Sequence, residues 1–312
     1  MLSGPPLLGF HHATSFAGNP QSNIEFHKQV LGYRLVKRTV NFDEPAAHHL
    51  YFSSGLGAPG TILTTFPGYP VRPSARTNLV ICLRGKVPSA FNQPELPRFG
   101  EPILSLRDPD GLQLEATPGE GPLQLHFVTL TVAAPQPTIA FFTEILGFSK
   151  VASDGVRTRV EAPRGTVRLD ILTDPAAGRS RFGAGITHHI AFQVEAEEQQ
   201  LAWREHLIRS QVRVSLVKDR YYFHSIYFRE PSGILLEIAT AGPGFLIDEG
   251  EEHLDESLCL PPWFEPIRTN IEARLKPLES AKGAARTNPE EKDNRDAPVL
   301  REFLKGPEGH VV

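Results

Sequence analysis

The stretch REPSGILLEIAT at residues 229–240 decides the fold, because the closely similar stretch RDPDGLQLEAT occurs at residues 107–117. Both contain an acidic residue, a proline, one variable residue and a glycine, a pattern that favours a turn between two strands. The second copy begins 229 − 107 = 122 residues after the first. A match of this length indicates a chain built from internal repeats.

A strand followed by a helix that ends at a glycine also recurs. The first instance is GFHHAT at residues 9–14, followed by a helix predicted from Asn19 to Leu31 and ended by Gly32. The second is the strand at residues 125–132, followed by a helix predicted over 137–146 and ended by Gly147. These repeats divide the chain into four βαβββ modules, at residues 8–66, 77–117, 122–173 and 186–240. The helix of module 2, expected around residues 89–96, is the weakest of these signals.

The modules predict an α+β fold in which four βαβββ units pair into two cupped mixed sheets. A unit this small leaves one sheet face uncovered, so pairing follows, and the cup would hold a ligand. We expect an N-terminal domain of modules 1 and 2 (8–117) and a C-terminal domain of modules 3 and 4 (122–240). Residues 241–278, with a short helix around 271–275, should dock on this body, and the charged tail 279–312 should be flexible.

Composition narrows the function. The chain has 312 residues, 40% of them apolar, and a formal net charge of −4. No basic surface for nucleic acid or an anionic membrane is expected, and no apolar run approaches the ~20 residues of a membrane helix. The start of the chain does not resemble a signal peptide, so a cytoplasmic location is expected. Twelve histidines against two cysteines direct any metal chemistry toward imidazole and carboxylate ligands.

Three His-His pairs, at 11–12, 48–49 and 188–189, are candidates for that chemistry. Adjacent side chains on a strand point to opposite faces, so one member of each pair can face a cup. His189 shares one face of the predicted strand with small and polar residues, so it is favoured over His188 as the ligand candidate. The same test at the first pair favours His11 over His12. An ordinary core or surface imidazole is the alternative for each of them.

Glu237 lies in a strand that is otherwise apolar on both faces. A buried ionised carboxylate is costly unless it is paired or binds a metal. Its repeat counterpart Glu115 leaves open a shared structural role at a strand end. With two histidines, Glu237 would form the facial triad that leaves open positions on non-haem Fe(II) for substrate and O₂.

The sequence resembles the vicinal-oxygen-chelate superfamily, and within it the glyoxalase-family ring-cleaving, extradiol-type dioxygenases that act on hydroquinones. The resemblance covers about residues 8–275. The matching motifs are most numerous in modules 1 and 4, few in module 2 and absent from the tail. The motifs that carry it are GFHHAT (9–14), LVKRTVNFD (35–43), HLYF (49–52), GAPGTILTTFP (57–67), HHIAF (188–192), the strand around Glu237 and LPPW (260–263).

The resemblance implies that His12, His189 and Glu237 bind Fe(II), with Mn(II) as the alternative metal, and that module 1 therefore pairs with module 4. His126, the corresponding ligand in catechol-cleaving relatives, is the alternative third ligand. The family's other functional groups map onto His11, His188, Arg220 and Tyr227 as catalytic residues and onto Thr14, Arg220 and Tyr227 as substrate contacts. Without the resemblance, Tyr227 is equally well interpreted as a core aromatic residue, and Arg220 is better interpreted as a solvated charge at the start of a strand.

The expected function is thus an Fe(II)-dependent dioxygenase that cleaves the ring of a hydroquinone or catechol and incorporates both atoms of O₂. Its expected partners are a small aromatic substrate and O₂, without nucleic acid or membrane, and a second copy of the chain is a candidate. One alternative is a glyoxalase-like isomerase, which would need Glu115 beside Glu237. The other is a metal-free protein of the same fold that binds a small molecule such as a drug.

Overall fold

The computed structural model describes residues 4–71, 78–178 and 182–278. The predicted flexible tail, 279–312, lies outside these described residues. Residues up to 278 form one compact unit. No helix in the described part of the chain is long and apolar enough to cross a membrane.

Strands make up most of the body. Modules 1 and 2 contain β1 (Gly9–Ala17), β2 (Arg34–Asn41), β3 (Glu44–Ser53), β4 (Ile62–Pro67), β5 (Leu79–Gly85), β6 (Gln93–Arg98), β7 (Glu101–Arg107) and β8 (Gln113–Pro118). Modules 3 and 4 contain β9 (Gln124–Val132), β10 (Ser149–Ser153), β11 (Arg157–Glu161), β12 (Arg168–Thr173), β13 (Ile186–Val194), β14 (Lys218–Asp219), β15 (Phe223–Arg229) and β16 (Leu235–Pro243).

These strands form two curled mixed sheets of eight strands each. The first sheet has the order β14-β15-β16-β13-β1-β4-β3-β2 and joins module 4 to module 1 through the antiparallel pair β13–β1. The second has the order β10-β11-β12-β9-β5-β8-β7-β6 and joins module 3 to module 2. The predicted α+β class, the two cupped sheets and the pairing of module 1 with module 4 are confirmed.

Helices follow the strands that open modules 1, 3 and 4, and one more lies after β16. They are α1 (Pro20–Glu25), continued by a π-helical turn (Phe26–Val30), α2 (Pro135–Ala140), continued likewise (Phe141–Ile145), α3 (Glu197–Arg209) and α4 (Arg268–Glu272). The Asn19 side chain caps α1 by accepting hydrogen bonds from the backbone amides of Gln21 and Ser22. The glycines that end the first two helices, Gly32 and Gly147, have φ values of +70° and +73°, which suit glycine. Short 3₁₀ turns occur at Pro163–Gly165, Phe245–Ile247, Glu251–His253 and Glu265–Ile267.

The helix predicted for module 2 is wrong. Strand β6 and a turn occupy residues 89–98 instead. Pro94 and Pro97 lie inside this stretch, and proline disrupts a helix interior because it lacks the amide hydrogen and clashes with the preceding turn. Strand β6 is the last strand of the second sheet, the edge position at which prolines are tolerated.

The concave face of the first sheet is covered by the segment that follows β16. Phe245 of this segment packs against the rings of Tyr51 and Tyr222, with centroids 4.9 and 5.1 Å away. Lys37, whose side chain is 0% exposed, forms ion pairs with Asp248 and Glu249 of the same segment. Apolar contacts and a buried ion pair therefore hold residues 245–249 across the cup.

Candidate metal centre

Three side chains from adjacent central strands converge on the concave face of the first sheet. His12 lies on β1, His189 on β13 and Glu237 on β16. The Nε2 atoms of the two histidines are 3.2 Å apart. Oε2 of Glu237 lies 3.4 Å from Nε2 of His12 and 2.9 Å from Nε2 of His189. All three residues are 4% exposed or less, so the group is closed to bulk water.

A β-bulge in β1 selects His12 rather than His11. Phe10 pairs with Phe192 and His12 pairs with Ala191, so His11 is an extra residue in the ladder. A bulge interrupts the strict alternation of side chains. The alternation argument that favoured His11 fails here for this reason, and the structure brings His12 into the group.

The donor set fits a divalent transition metal. Oε1 of Glu237 accepts a hydrogen bond from Ser225 Oγ at 2.5 Å, whereas buried Oε2 faces the imidazoles without a well-formed hydrogen bond in the described part of the chain. Burial alone would raise the pKa of Glu237, but His12 and His189 hold it well below its ordinary value. Burial lowers the pKa of His189, with Glu237 opposing it. An ionised carboxylate beside imidazole nitrogens in a buried site is a typical ligand set for such an ion.

A neighbouring histidine orients His12. The Nδ1 atoms of His11 and His12 are 2.8 Å apart, and the His11 ring also hydrogen-bonds the backbone of Thr240. If the second His11 nitrogen donates to the Thr240 carbonyl, its Nδ1 must accept from Nδ1–H of His12. The lone pair on Nε2 of His12 is then free for a metal. Burial and His12 lower the pKa of His11 to about 3, so this ring is neutral.

His188 contacts His189 in the same way. Their Nδ1 atoms are 2.8 Å apart, and the His188 ring packs at 4.9 Å from Phe16. Burial, followed by His189 and Arg229, holds the pKa of His188 well below its ordinary value. Each histidine of the metal group is thus supported by the neutral histidine that precedes it in the chain.

Comparison with known proteins agrees with this geometry. The model of the Glyoxalase/Bleomycin resistance protein/Dioxygenase superfamily matches residues 124–238. The protein named "Putative ring-cleaving dioxygenase MhqO" of Bacillus subtilis (strain 168) is 38% identical in an alignment 304 residues long, which covers 87% of this chain and 97% of that protein. The chain belongs to this superfamily.

Two further relatives extend the likeness to the whole body of this superfamily member. The chlorohydroquinone/hydroquinone 1,2-dioxygenase of Sphingobium indicum is 28% identical in an alignment 305 residues long, which covers 84% of this chain and 94% of that protein. The crystal structure of a Bacillus subtilis protein described as a "putative dioxygenase" matches with a TM-score of 0.80 and 36% identity, over 88% of this chain and 99% of that chain. The relatives place the chain among the ring-cleaving dioxygenases.

Arg220 and Tyr227 border the metal group in this dioxygenase fold. Tyr227 is the strand partner of Glu237, and its ring lies 5.9 Å from that of His189. Arg220 Nε donates to the Tyr227 hydroxyl at 3.0 Å, and its Nη2 lies 2.7 Å from a carboxylate oxygen of Asp43. Burial raises the pKa of Tyr227, with Arg220 opposing it in part. Tyr227 therefore stays protonated and can donate a hydrogen bond beside a fixed positive charge.

The residues that we assigned to the site lie on strands of the first sheet or, for Arg220, between β14 and β15. Thr14 lies two residues beyond His12 and is 0% exposed. Its hydroxyl hydrogen-bonds that of Thr64 at 3.0 Å. The residues thus gathered are His11, His12, Thr14, His188, His189, Arg220, Tyr227 and Glu237.

The alternative ligands lie in the other sheet of this superfamily member. Nε2 of His126 is 2.5 Å from Oε2 of Glu101, and Nη2 of Arg98 is 2.7 Å from Oε1 of Glu115. His126 as third ligand is therefore wrong, and so is the isomerase site that needed Glu115 beside Glu237. The physical reason is the pairing of module 2 with module 3, which puts both residues in the second cup.

Two residues of the site were missed. Ser225 holds Glu237, and it alternates with Tyr227 on β15, so the strand pattern could have indicated it. His49 lies on β3 and its pKa is held well below the ordinary value, first by burial and then by His12 and His189. Membership of the His-His pair at 48–49 was its only signal in the sequence.

Proposed function

We propose that this ring-cleaving dioxygenase uses Fe(II) to open the aromatic ring of a hydroquinone and places both atoms of O₂ in the product. The convergence of His12, His189 and Glu237 carries the proposal. A hydroquinone is favoured over a catechol because one relative is named a chlorohydroquinone/hydroquinone 1,2-dioxygenase. Mn(II) suits the same donor set and is the alternative metal.

His12, His189 and Glu237 would hold the metal. Fe(II) bound there would supply open coordination positions for substrate and O₂ and a path for electrons between them. Ser225 fixes the Glu237 carboxylate so that Oε2 faces the two imidazoles. His11 and His188 orient the ligating rings, because each contacts Nδ1 of its neighbour.

Arg220 and Tyr227 would act on the substrate. The protonated Tyr227 hydroxyl is positioned to donate a hydrogen bond to a substrate oxygen near His189. The Arg220 guanidinium, held by Tyr227 and Asp43, would stabilise negative charge that develops on that oxygen or on bound O₂. Thr14 completes the proposed substrate contacts from β1.

Metal analysis and O₂ uptake test this function together. The protein is purified without O₂, its metal content is measured, and O₂ consumption is followed with hydroquinone, catechol and phenol. We expect Fe(II) to bind and to support O₂ consumption with hydroquinone. The proposal is contradicted if the iron-loaded protein consumes no O₂ with either diol. It is also contradicted if the purified protein contains zinc or nickel and is active without O₂.

The same proposal covers the organisation of the chain. We assign modules 1 and 2 (8–117) and modules 3 and 4 (122–240) to two domains, with 241–278 docked on them. The packing of Phe245 against Tyr51 supports the docking. Both cysteines are free and buried, which supports a reducing, cytoplasmic location. Assembly with a second copy stays a prediction.

A further inference from the structure

His49 lies in the same cup as the metal group. Its strand β3 is separated from β1, which carries His12, only by β4. The ring is fixed between Tyr51 and Phe66, with centroids 4.1 and 4.3 Å away. Thr64, whose hydroxyl lies 2.8 Å from Nε2 of His49, pairs with Thr14, and Thr14 is the strand partner of His189. His49 is partly exposed, whereas the three residues of the ligand group are buried.

A chain of hydrogen bonds runs from His49 toward β1. Nε2 of His49 lies 2.8 Å from Thr64 Oγ1, which lies 3.0 Å from Thr14 Oγ1. A neutral imidazole carries one N–H and each hydroxyl one O–H. When the two hydrogen bonds run in the same direction, one donor is left at one end of the chain and one acceptor at the other. His49 Nδ1 can thus present either a donor or a lone pair to a ligand.

Polar groups therefore flank the metal ligands on two opposite sides. The ligands occupy β16, β13 and β1; Tyr227 lies on β15 beyond one end of this row, and His49 and Thr64 lie on β3 and β4 beyond the other. In a 1,4-diol the two oxygens stand at opposite ends of the ring, whereas in a 1,2-diol they are adjacent. A 1,4-diol held at the ligand row by one oxygen therefore directs its other oxygen away from that row, whereas a 1,2-diol keeps both oxygens there.

We propose that His49, held by Thr64 and Thr14, binds the substrate hydroxyl that is remote from the metal ligands and so selects a 1,4-diol. The proposal rests on the proposed function, since it deepens the choice of substrate for the same site. His49 is a specificity-determining residue in this arrangement and not a metal ligand. It acts on hydroquinone but has nothing to bind on phenol, which lacks the second hydroxyl.

Anaerobic titration of the iron-loaded protein with hydroquinone and with phenol tests this role. One hydrogen bond of this kind should make hydroquinone bind roughly 3- to 10-fold more tightly than phenol in the unaltered protein. In His49→Ala the ratio of the two dissociation constants should fall to near one, with the iron content unchanged. Thr64→Val keeps the ring between Tyr51 and Phe66 and should lower the ratio in the same direction by less.

His48→Ala is the matched control, because His48 bonds to the carbonyl of Lys276 at 2.8 Å and should leave the ratio unchanged. An unchanged ratio in both His49→Ala and Thr64→Val overturns the proposal, and so does loss of iron from His49→Ala. If His49→Ala does not fold, Thr64→Val decides alone. These outcomes are distinct from failure of the proposed function, which appears in the unaltered protein as no O₂ uptake with hydroquinone.

Discussion

Glu237 and Glu115 occupy the same position in the two repeated stretches, residues 229–240 and 107–117, yet their pKa values shift in opposite directions. Both are buried, at 0% and 2% exposure. Burial raises the pKa of Glu115, and Arg98 opposes this only in part. Burial acts on Glu237 as well, but His12 and His189 hold its pKa well below the ordinary value. The residues on the adjacent strands, and not the repeated sequence itself, determine the direction in which the pKa of the carboxylate shifts.

Strand register identifies the residues that replace the histidines in the second cup. In the first sheet, the row across β1, β13 and β16 contains His12, Ala191 and Glu237. In the second sheet, the row across β9, β5 and β8 contains Phe127, Cys82 and Glu115. Phe127 therefore stands where the first sheet has His12. Val80, two residues before Cys82, likewise stands where the first sheet has His189.

The bulge is shared although the chemistry is not. The ladder between β5 and β9 skips His126 between Phe127 and Leu125, as the ladder between β1 and β13 skips His11 between His12 and Phe10. His126 thus corresponds to His11 and not to a ligand. The repeat preserves backbone geometry in both sheets, whereas the ligand set exists in one of them.

Ion pairs occupy the second cup. Arg159 pairs with Asp170 at 2.7 Å and with Glu101 at 2.8 Å. Arg157 donates a hydrogen bond to the Thr129 hydroxyl at 3.2 Å. By strand register, Arg157 occupies the position in the second sheet that His49 has in the first, and Thr129 occupies that of Thr14. These charged side chains are paired with one another or with a hydroxyl, whereas the ligand atoms of the first cup converge on one point. The two cups therefore separate the requirements of the fold from those of the site.

The largest effect is expected from matched changes of the two carboxylates. Glu237→Gln removes the charged ligand, so metal affinity should fall more than about 100-fold, beyond the range for residues that only support ligands, and O₂ uptake should vanish. Glu115→Gln should leave metal affinity unchanged and lower the free energy of unfolding by about 1–3 kcal/mol, because Arg98 loses its buried partner. Metal titration and urea unfolding measure both. Equal metal loss in the two variants would show that the cups are not distinct.

The contrast between the cups also shows how much the sequence could reveal. Repetition of the turn phrase and one carboxylate in an apolar strand were enough to predict four modules and to single out Glu237. Alternation could not place His12, because a bulge is a backbone event that depends on pairing with β13. The pairing of module 1 with module 4 came from the family resemblance, since nothing local at either end of the chain specifies it. Alternation with Tyr227 on β15 could indicate Ser225, but its contact with Glu237 depends on the register of β15 against β16.

A smaller effect is expected at Ser225, whose counterpart in the second sheet is apolar. Tyr227 pairs with Glu237 as Ser105 pairs with Glu115, so Ser225 corresponds to Ile103. Ser225→Ala removes the hydrogen bond to Oε1 of Glu237 and should weaken metal binding about 10-fold.

Ser105→Ala is the control, because Ser105 donates to Glu95 in the second cup at 2.8 Å. Its metal affinity should match that of the unaltered protein in the same titration. If Ser225→Ala also binds metal with unchanged affinity, the orientation of Glu237 depends on the two histidines and not on this hydroxyl.

The smallest effect, on the stability of the protein, is expected in the turns that begin the two repeated stretches. Asp108 and Glu230 are equivalent, but Asp108 accepts hydrogen bonds from the amides of Asp110 and Leu112 in its own turn, whereas Glu230 also accepts one from Thr138 on α2. Burial, with Asp110 adding to it, raises the pKa of Asp108 to about 6. Its ordinary value is about 4, so the folded protein binds more protons than the unfolded chain between about pH 4 and 6.

Stability contributed by Asp108 is therefore present in full below about pH 4 and is lost as the pH rises through about 6. Asp108→Asn keeps an acceptor for the turn amides and does not titrate. The difference in unfolding free energy, unaltered protein minus Asp108→Asn, should fall by on the order of 1 kcal/mol across this range. Urea unfolding of both proteins at pH 4, 5, 6 and 7 measures it. A difference that stays constant or rises with pH would mean that Asp108 is already ionised in the folded turn at pH 4, and that this turn tolerates a buried charge as the metal cup does.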